Sequence, residues 1–583
     1  MSALLTAINP GILLVVAGLA GAFVTHRTIR QAVMVATPLI GLVLLATAEQ
    51  DVTLASAQVL GLELILYRVD SLSFIFALGF VLVAVLNAIY AQHEDDRLQD
   101  GLSLAYAGAA TAGCLAGDLM TLFIFWELTA LTSVFLIFRA GTQAAYNAGM
   151  RYLGVQVLSG VLLLDGVAYL HAKAGTTDLA AFQGMEEPGA LLIFIALGIK
   201  AAFPLLHNWL QDAYPKATVT GAVVLSAFTT KLAVYAFARM FPGTESLIWI
   251  GAAMAVFPIL FALLANDLRT VLAYSLNAQL GFMICAVGVG TPLALNGAAA
   301  HAFVCIFYTS LLFMGMGAVL HRTGTAKASE LGGLYRTMPW TTLFCLIGAA
   351  SISAVPLFSG FVGKSLIMSA LAKEGHLVAW LMLLFAAAGV LIHTAIKVPY
   401  SAFFGADSGK RVAEAPFSML LAMGLTAGIC VFVGLPLASG AGYGWLYGLL
   451  PDPRVALGYS PYTAAHILEQ VQLLVLGTLG FLLLRRFGLY PQARPITVLD
   501  TDWVYRRLGY SLVIWLGAVW HKVGPAMTAA AGQVSAGAYD RIEAAFSPRG
   551  ILARGPLTGS AAMCTAVLLG VALLLSFGAV TLN

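Results

Sequence analysis

The chain has 583 residues, of which 60% are hydrophobic and 10% charged, with a net charge of +3 and a mean hydropathy of +0.91. Soluble domains carry roughly 25% charged residues, so a soluble enzyme is excluded, and the absence of a basic run argues against a nucleic-acid partner. The fold class that remains is an all-α polytopic membrane protein.

A crossing takes about 20 apolar residues. On that length the apolar runs predict helices at 4–24, 31–48, 71–91, 101–117, 118–139, 152–172, 189–212 and 219–241, then at 246–265, 270–290, 296–320, 341–372, 377–404, 414–436, 465–487 and 558–580. The start, MSALLTAINPGILLVVAGLAGAFVTHRTIR, lacks the basic opening and small-residue cleavage site of a signal peptide and reads as the first retained span. With the N-terminus outside, the inner loops hold Arg27, Arg30, Arg97, Arg139, Arg151, Lys216, Arg269, Arg322, Lys327, Arg336, Lys410, Arg411, Arg485 and Arg486. The outer loops hold only Arg68, Lys173, Arg239, Lys373 and Arg454. The positive-inside rule then places both termini outside the inner (cytoplasmic) membrane of a prokaryotic cell. Residues 488–557 break the spanning pattern. LDTDWVYRRLGYSLVIWLGAVWHKVG mixes Trp503, Trp515 and Trp520 with Arg506, Arg507, His521 and Lys522, which suits a helix lying along the interface.

The six cysteines (Cys114, Cys285, Cys305, Cys345, Cys430 and Cys564) all fall in apolar stretches without metal-ligand spacing and read as small buried hydrophobes. Neither a metal nor a cofactor is expected, so the chain by itself catalyses no electron transfer.

Ionisable residues inside spans are rare and mark polar paths. Here they are Glu127 in FIFWELTAL, Lys200 in IALGIKAAFPLLHNWLQDAYP, Lys231 in LSAFTTKLAVYAF, His301 in HAFVCIFYTSLLF and Lys364 in ISAVPLFSGFVGKSLIM. Pro204, and Pro356 with Gly360, should break the helices that carry Lys200 and Lys364, because proline removes a backbone hydrogen bond and clashes with the preceding turn. Broken helices at membrane depth are tolerated where they are enclosed by protein or line a water-filled cavity. A buried lysine holds its proton less tightly, and a nearby carboxylate restores that hold. Glu127 beside Lys200 therefore predicts a lysine that can be loaded and unloaded. Accessory candidates are Asp165, His207, Tyr308 and Lys397, with Lys397 equally able to snorkel to the interface and Asp165 to hydrogen-bond a neighbouring helix.

Around these residues the chain resembles the antiporter-like family found in Mrp-type sodium/proton antiporters (their D type), in respiratory complex I and in membrane-bound hydrogenases. The resemblance covers residues 65–435 and rests on GDLMTLFIFWELTALTSVFLI, KAAFPLLHNWLQDAYPKATVTGAVVLSAFTTKLAVY, NDLRTVLAYSLNAQLGFMICAVGVGTPLALNGAAAHA and ELGGLYRTMPWTTLFCLIGAASISAVPLFSGFVGK. EAPFSMLLAMGLTAGICVFVGL and SPYTAAHILEQVQLLVLG look most like the Mrp D type. The resemblance implies about 14 core helices, N-terminal helices over 1–100, two inverted five-helix repeats at 101–241 and 246–404, each with one broken helix, and further core helices over 405–487. The region 488–557 would hold a lateral helix and 558–583 a final span, an extension similar to distal complex I subunits. It also implies a proton path through Glu127, Lys200, Lys231, His301 and Lys364. Where the family places a second histidine and a lysine after His301, this chain has Cys305 and Thr309. The expected partners are other membrane subunits, the lipid bilayer, protons and, in an antiporter, sodium. Three functions follow: a proton-translocating subunit of a cation/proton antiporter, the same fold driven by a redox complex, or an energy-coupling subunit of another membrane complex.

Overall fold

The computed structural model describes residues 8–59, 61–179, 185, 187–438, 440–490, 500–547 and 567–568. The chain divides into two compact units, residues 1–500 and 501–583. Among the described residues ten helices are long and apolar enough to cross a membrane, by length and composition, and four shorter apolar helices accompany them.

The first unit opens with α1 (Pro10–Gly21), capped by the Asn9 side chain on the Gly11 amide, and α2 (Arg27–Ala46). A length criterion for spans leaves residues 49–70 as a connection. The structure instead forms an antiparallel hairpin, β1 (Val52–Val59) and β2 (Leu62–Val69), turning at Gly61 with φ +83°. The hairpin is clamped to the start of the helix Leu119–Phe138, because the Ile65 amide donates to Asp118 Oδ2 at 2.7 Å and the Gly117 amide to the Ile65 carbonyl at 2.9 Å.

There follow α3 (Ser71–Ala91), α4 (Arg97–Cys114), α5 (Leu119–Phe138), α6 (Gln143–Ala174), α7 (Pro188–Lys200), a short α8 (Asn208–Ala213) and α9 (Val219–Met240). Next come α10 (Glu245–Leu264), α11 (Leu268–Val289), α12 (Pro292–Thr323), α13 (Pro339–Ile352), α14 (Ser359–Lys373), α15 (Leu377–Phe404), α16 (Phe417–Phe432) and α17 (Ala464–Arg486). The expected spans 189–212 and 341–372 are thus each two helices separated by a break. Helices α9 and α11 are buried all round, which only helices enclosed by other helices can be.

The halves on either side of α10 repeat the same devices. Asp118 and Asp267 cap α5 and α11 by accepting from the amides two and three residues on, and each pairs with a strand-like residue, Asp178 and Lys327. Helices α6 and α12 both run 32 residues and end on left-handed glycines, Gly175 and Gly324. Both breaks are built on the same tetrapeptide pattern, AFPL and AVPL, with positive φ at Ala202 and Leu205 in one and at Ala354 and Leu357 in the other. Left-handed backbone at a residue with a side chain costs about 1–3 kcal/mol and persists only where its surroundings over-determine it. Four such residues at two breaks are stored strain at equivalent places.

Small residues let helices approach closely. A Cβ on Gly11 would stand 2.2 Å from the Ala112 nitrogen, and one on Gly108 would stand 2.6 Å from the Gly11 carbonyl, so α1 and α4 cross with backbones touching. Gly108→Val should therefore destabilise the protein by about 2 kcal/mol or more, read as a lower melting temperature in detergent.

In the second unit α18 (Tyr510–Phe546) is a continuous 37-residue helix, about 55 Å long, with Pro525 inside it. Its described side chains are almost all exposed, Trp515 and Trp520 among them. The expected final span 558–580 lies outside the described residues except for 567–568, as does Cys564.

Candidate proton path

The five expected path residues all lie in the first unit on α5, α7, α9, α12 and α14, and the four cationic or imidazole groups among them are at most 5% exposed. Their partners are not the ones the sequence suggests. Lys200 ends α7 at the first break. Its Nζ donates to the Trp126 carbonyl at 2.5 Å and to Thr129 Oγ1 at 2.9 Å, and it sits 4.1 Å from the centre of the Trp126 ring. Those partners flank Glu127 on α5, so the lysine reaches the expected helix turn without pairing with the carboxylate. Glu127 itself turns toward α6, where a Cβ on Gly160 would lie 1.8 Å from its Oε1, and that oxygen is buried without a hydrogen bond. Among the described residues it makes no ion pair. No salt bridge joins Glu127 and Lys200 in this structure, although the two groups lie close enough to act on one another electrostatically.

The other lysines follow the same rule. Lys231 donates to the Ser226 carbonyl at 2.7 Å, across the bend at Phe228 that interrupts α9. Lys364 donates to the Ile352 carbonyl at 2.7 Å, bridging the second break from α14 back to the end of α13. Lys397 does not snorkel. It is 4% exposed and donates to the carbonyls of Ala262, Leu263 and Ala265 at 2.7–2.9 Å, closing the end of α10. Interrupted and terminal turns leave carbonyls without intrahelical donors and carry the negative end of the helix dipole. A lysine can meet both needs without a carboxylate.

His301 lies in the first third of α12, fully buried. Its Nε2 is 3.2 Å from Gln279 Oε1 and 3.3 Å from the Tyr308 hydroxyl, and Tyr308 also donates to Gln279 Oε1 at 3.2 Å. A Cβ on Gly363 would stand 3.0 Å from His301 Cα, which puts the residue beside Lys364 against the histidine backbone. Tyr308 is thus brought to the site together with the Cys305 side chain, which is hydrogen-bonded to Tyr308 and lies near both Lys231 and Lys364; the Thr309 hydroxyl is spent on the Cys305 carbonyl at 2.5 Å. His207 sits in the first break with its Nε2 3.1 Å from Asp500 Oδ2, which also accepts from the Tyr274 hydroxyl at 2.8 Å. Asp165 is exposed on the outer face of α6 and lies apart from the other groups.

Two cavities open at the Lys364 and Lys397 part of this string. One of ≈ 880 Å³ is lined by Lys397, Tyr400, Asp407, Lys410 and Arg485. At its mouth Arg411, with the Gly409 amide, holds the Asp407 carboxyl below the usual carboxylate range. The other, of ≈ 160 Å³, is lined by Lys364, Ser369, His466 and Glu469. Gln279 is uncharged and so escapes a search restricted to charges inside spans, whereas His466 and Glu469 lie inside the expected span 465–487 and are not among the residues singled out from the sequence. The signals were an amide in the apolar run NAQLGFMICA, and a histidine and a glutamate three positions apart in HILEQ.

Residues 116–390 match the family described as NADH:quinone oxidoreductase/Mrp antiporter, transmembrane. Hydrogenase-4 component B of Escherichia coli is 28% identical over 63% of this chain and 62% of its own length. The D-type subunit of the Na(+)/H(+) antiporter of Alkalihalophilus pseudofirmus is 32% identical over 50% of this chain and 62% of its own. The chain thus spans less than two thirds of these relatives. A chain of the Mrp complex from Dietzia sp. superposes with a TM-score of 0.72 at 24% identity, covering 92% of this chain and 63% of that one.

Proposed function

We propose, from the match of residues 116–390 to the NADH:quinone oxidoreductase/Mrp antiporter transmembrane family, that the chain is the proton-translocating subunit of a multisubunit cation (sodium)/proton antiporter. The observation that carries the reading is the string of buried amines and one imidazole from Lys200 to Lys397, each held by backbone carbonyls or an amide, with cavities at Lys364 and Lys397. A carbonyl partner tolerates both the charged and the neutral amine, since a neutral amine still donates. A carboxylate partner would hold the proton in place. Lys200, Lys231, His301 and Lys364 are therefore arranged to pass a proton through water, with Gln279 and Tyr308 orienting the imidazole. Glu127 is the movable counter-charge: released from Gly160, it approaches Lys200 and favours its protonated form. The cavity at Lys397 supplies the inner side and that at Lys364 the outer.

The complex lies in the cytoplasmic membrane of a prokaryote with both termini of this chain outside, and residues 101–241 and 246–404 act as paired repeats around their strained breaks. The test is cation-driven proton movement in vesicles holding the assembled complex. Glu127→Gln should reduce the rate by about 10²-fold or more at unchanged subunit content, and wild-type exchange in that variant would end the assignment. The similarity to a hydrogenase component over 63% of the chain supports a second reading, the same path driven by redox chemistry in partner subunits. Copurifying iron–sulfur or flavin subunits would decide for it.

A further inference from the structure

A second group of titratable side chains lies away from the lysine string, where α3 and α12 end beside the turn that leads into α4. His93 and Glu94 occupy that turn and His321 the last turn of α12, and one ligand atom from each lies within 4.8 Å of the others. The turn is pinned by Arg27 and Gln31, which donate to the Gln92 carbonyl at 2.9 and 3.1 Å. His93 Nδ1 stands 2.7 Å from the Tyr90 carbonyl. A carbonyl only accepts, so Nδ1 carries the hydrogen and the neutral ring keeps a lone pair on Nε2. That lone pair meets a second acceptor. Nε2 is 3.5 Å from Glu94 Oε1, the His93 side chain is 1% exposed, and Nε2 has no hydrogen-bond partner. Glu94 is oriented from behind by Gln99 Nε2, 2.7 Å from its other oxygen. The His321 ring stands edge-on to His93 with centroids 4.9 Å apart. The neighbouring cation does not fill the gap, since Arg322 Nε donates to the Glu414 carbonyl at 2.8 Å.

A buried imidazole lone pair facing a carboxylate that is one third exposed is unfavourable unless a proton or a metal cation lies between them. Two imidazoles and a carboxylate, with one imidazole fixed through Nδ1–H to a carbonyl, are the donors and outer contacts that first-row divalent ions take. Zn–N and Zn–O bonds of about 2.1 Å place tetrahedral ligand atoms roughly 3.4 Å apart, the separation His93 and Glu94 already have. The exposed His321 closes the set by moving roughly an ångström. We infer that His93, Glu94 and His321 form a site for a zinc-class divalent cation, with its fourth position open to water. Spacing rules cannot see it, because one ligand is contributed by a distant helix. Bound there, the ion clips the end of α3 to α12, the helix that carries His301 and Tyr308, and reinforces the Tyr90 hydroxyl bond to the Met314 carbonyl at 2.9 Å.

The test uses the full-length protein purified without a polyhistidine tag, stripped with a chelator and titrated with Zn²⁺, with Mg²⁺ as the control. One Zn²⁺ retained per chain after desalting, a higher melting temperature, and a four-coordinate visible spectrum with Co²⁺ support the site. His321→Ala, at an exposed position, and Glu94→Gln should each weaken Zn²⁺ binding at least about tenfold while leaving the metal-free melting temperature unchanged. No binding by the wild-type protein overturns the site, because Nε2 then carries a proton toward Glu94 instead. Binding that survives both substitutions, or equal stabilisation by Mg²⁺, overturns it as well.

Discussion

Lys200→Met is expected to lower proton transport by about 10²-fold or more while the protein still inserts, folds and assembles. Methionine keeps the length and volume of the buried side chain and removes its charge. Exchanging a buried ionic group for an apolar one of similar size is often neutral or stabilising, and little is orphaned here, because the Trp126 carbonyl also accepts from Thr129 Oγ1 at 2.7 Å. What is lost is the only group on α7 that can carry a proton to the turn of Glu127. Lys200→Ala would confuse the reading, since a cavity in a packed core costs about 2–5 kcal/mol on its own. Lys200→Arg separates charge from proton exchange, because guanidinium does not deprotonate in proteins. It should fail like methionine if Lys200 is a relay and succeed if only a fixed charge is needed. Wild-type transport by Lys200→Met would remove the residue from the path.

The membrane class, the order of the helices and the places of the two breaks were legible in the sequence, because hydrophobic length and proline act locally. The buried ionisable residues were legible too, since Lys200, Lys231, His301 and Lys364 are unexpected in apolar runs wherever the chain later takes them. Their partners were not. Reading charges against charges predicts a salt bridge from Glu127 to Lys200, and the fold gives Lys200 the Trp126 carbonyl in the interior of α5, while Lys231, Lys364 and Lys397 take carbonyls at a bend or at helix ends, meetings that are tertiary facts. Lys397 shows the limit most plainly. Its nearness to a span end suggested an interfacial lysine, and three carbonyls at the end of α10, more than 130 positions earlier, bury it. The hairpin at 52–69 was missed for the opposite reason: its alternation is local, and a search tuned to membrane-length runs passes over strands.

Lys364→Met should lower transport and, unlike Lys200→Met, also loosen the second break. Lys364 Nζ is the direct link from α14 to the Ile352 carbonyl at the end of α13, and it also lies 5.0 Å from the centre of the Phe282 ring on α11. Between the linked residues, Ala354 and Leu357 hold positive φ. Removing the amine leaves a terminal carbonyl without that donor, which costs about 1–3 kcal/mol, and it takes away the tie that holds the strained segment closed. Hydrogen exchange over 353–358 should therefore accelerate about tenfold, since 1.4 kcal/mol is a factor of ten in a local opening equilibrium. Transport should fall as it does for Lys200→Met. Lys364→Arg should restore the slow exchange by keeping a donor to Ile352, but not transport, because it keeps its proton. Recovery of both by arginine would mean that Lys364 is a hinge pin alone, and the proton would then have to leave by another route to the ≈ 160 Å³ cavity where His466 and Glu469 stand.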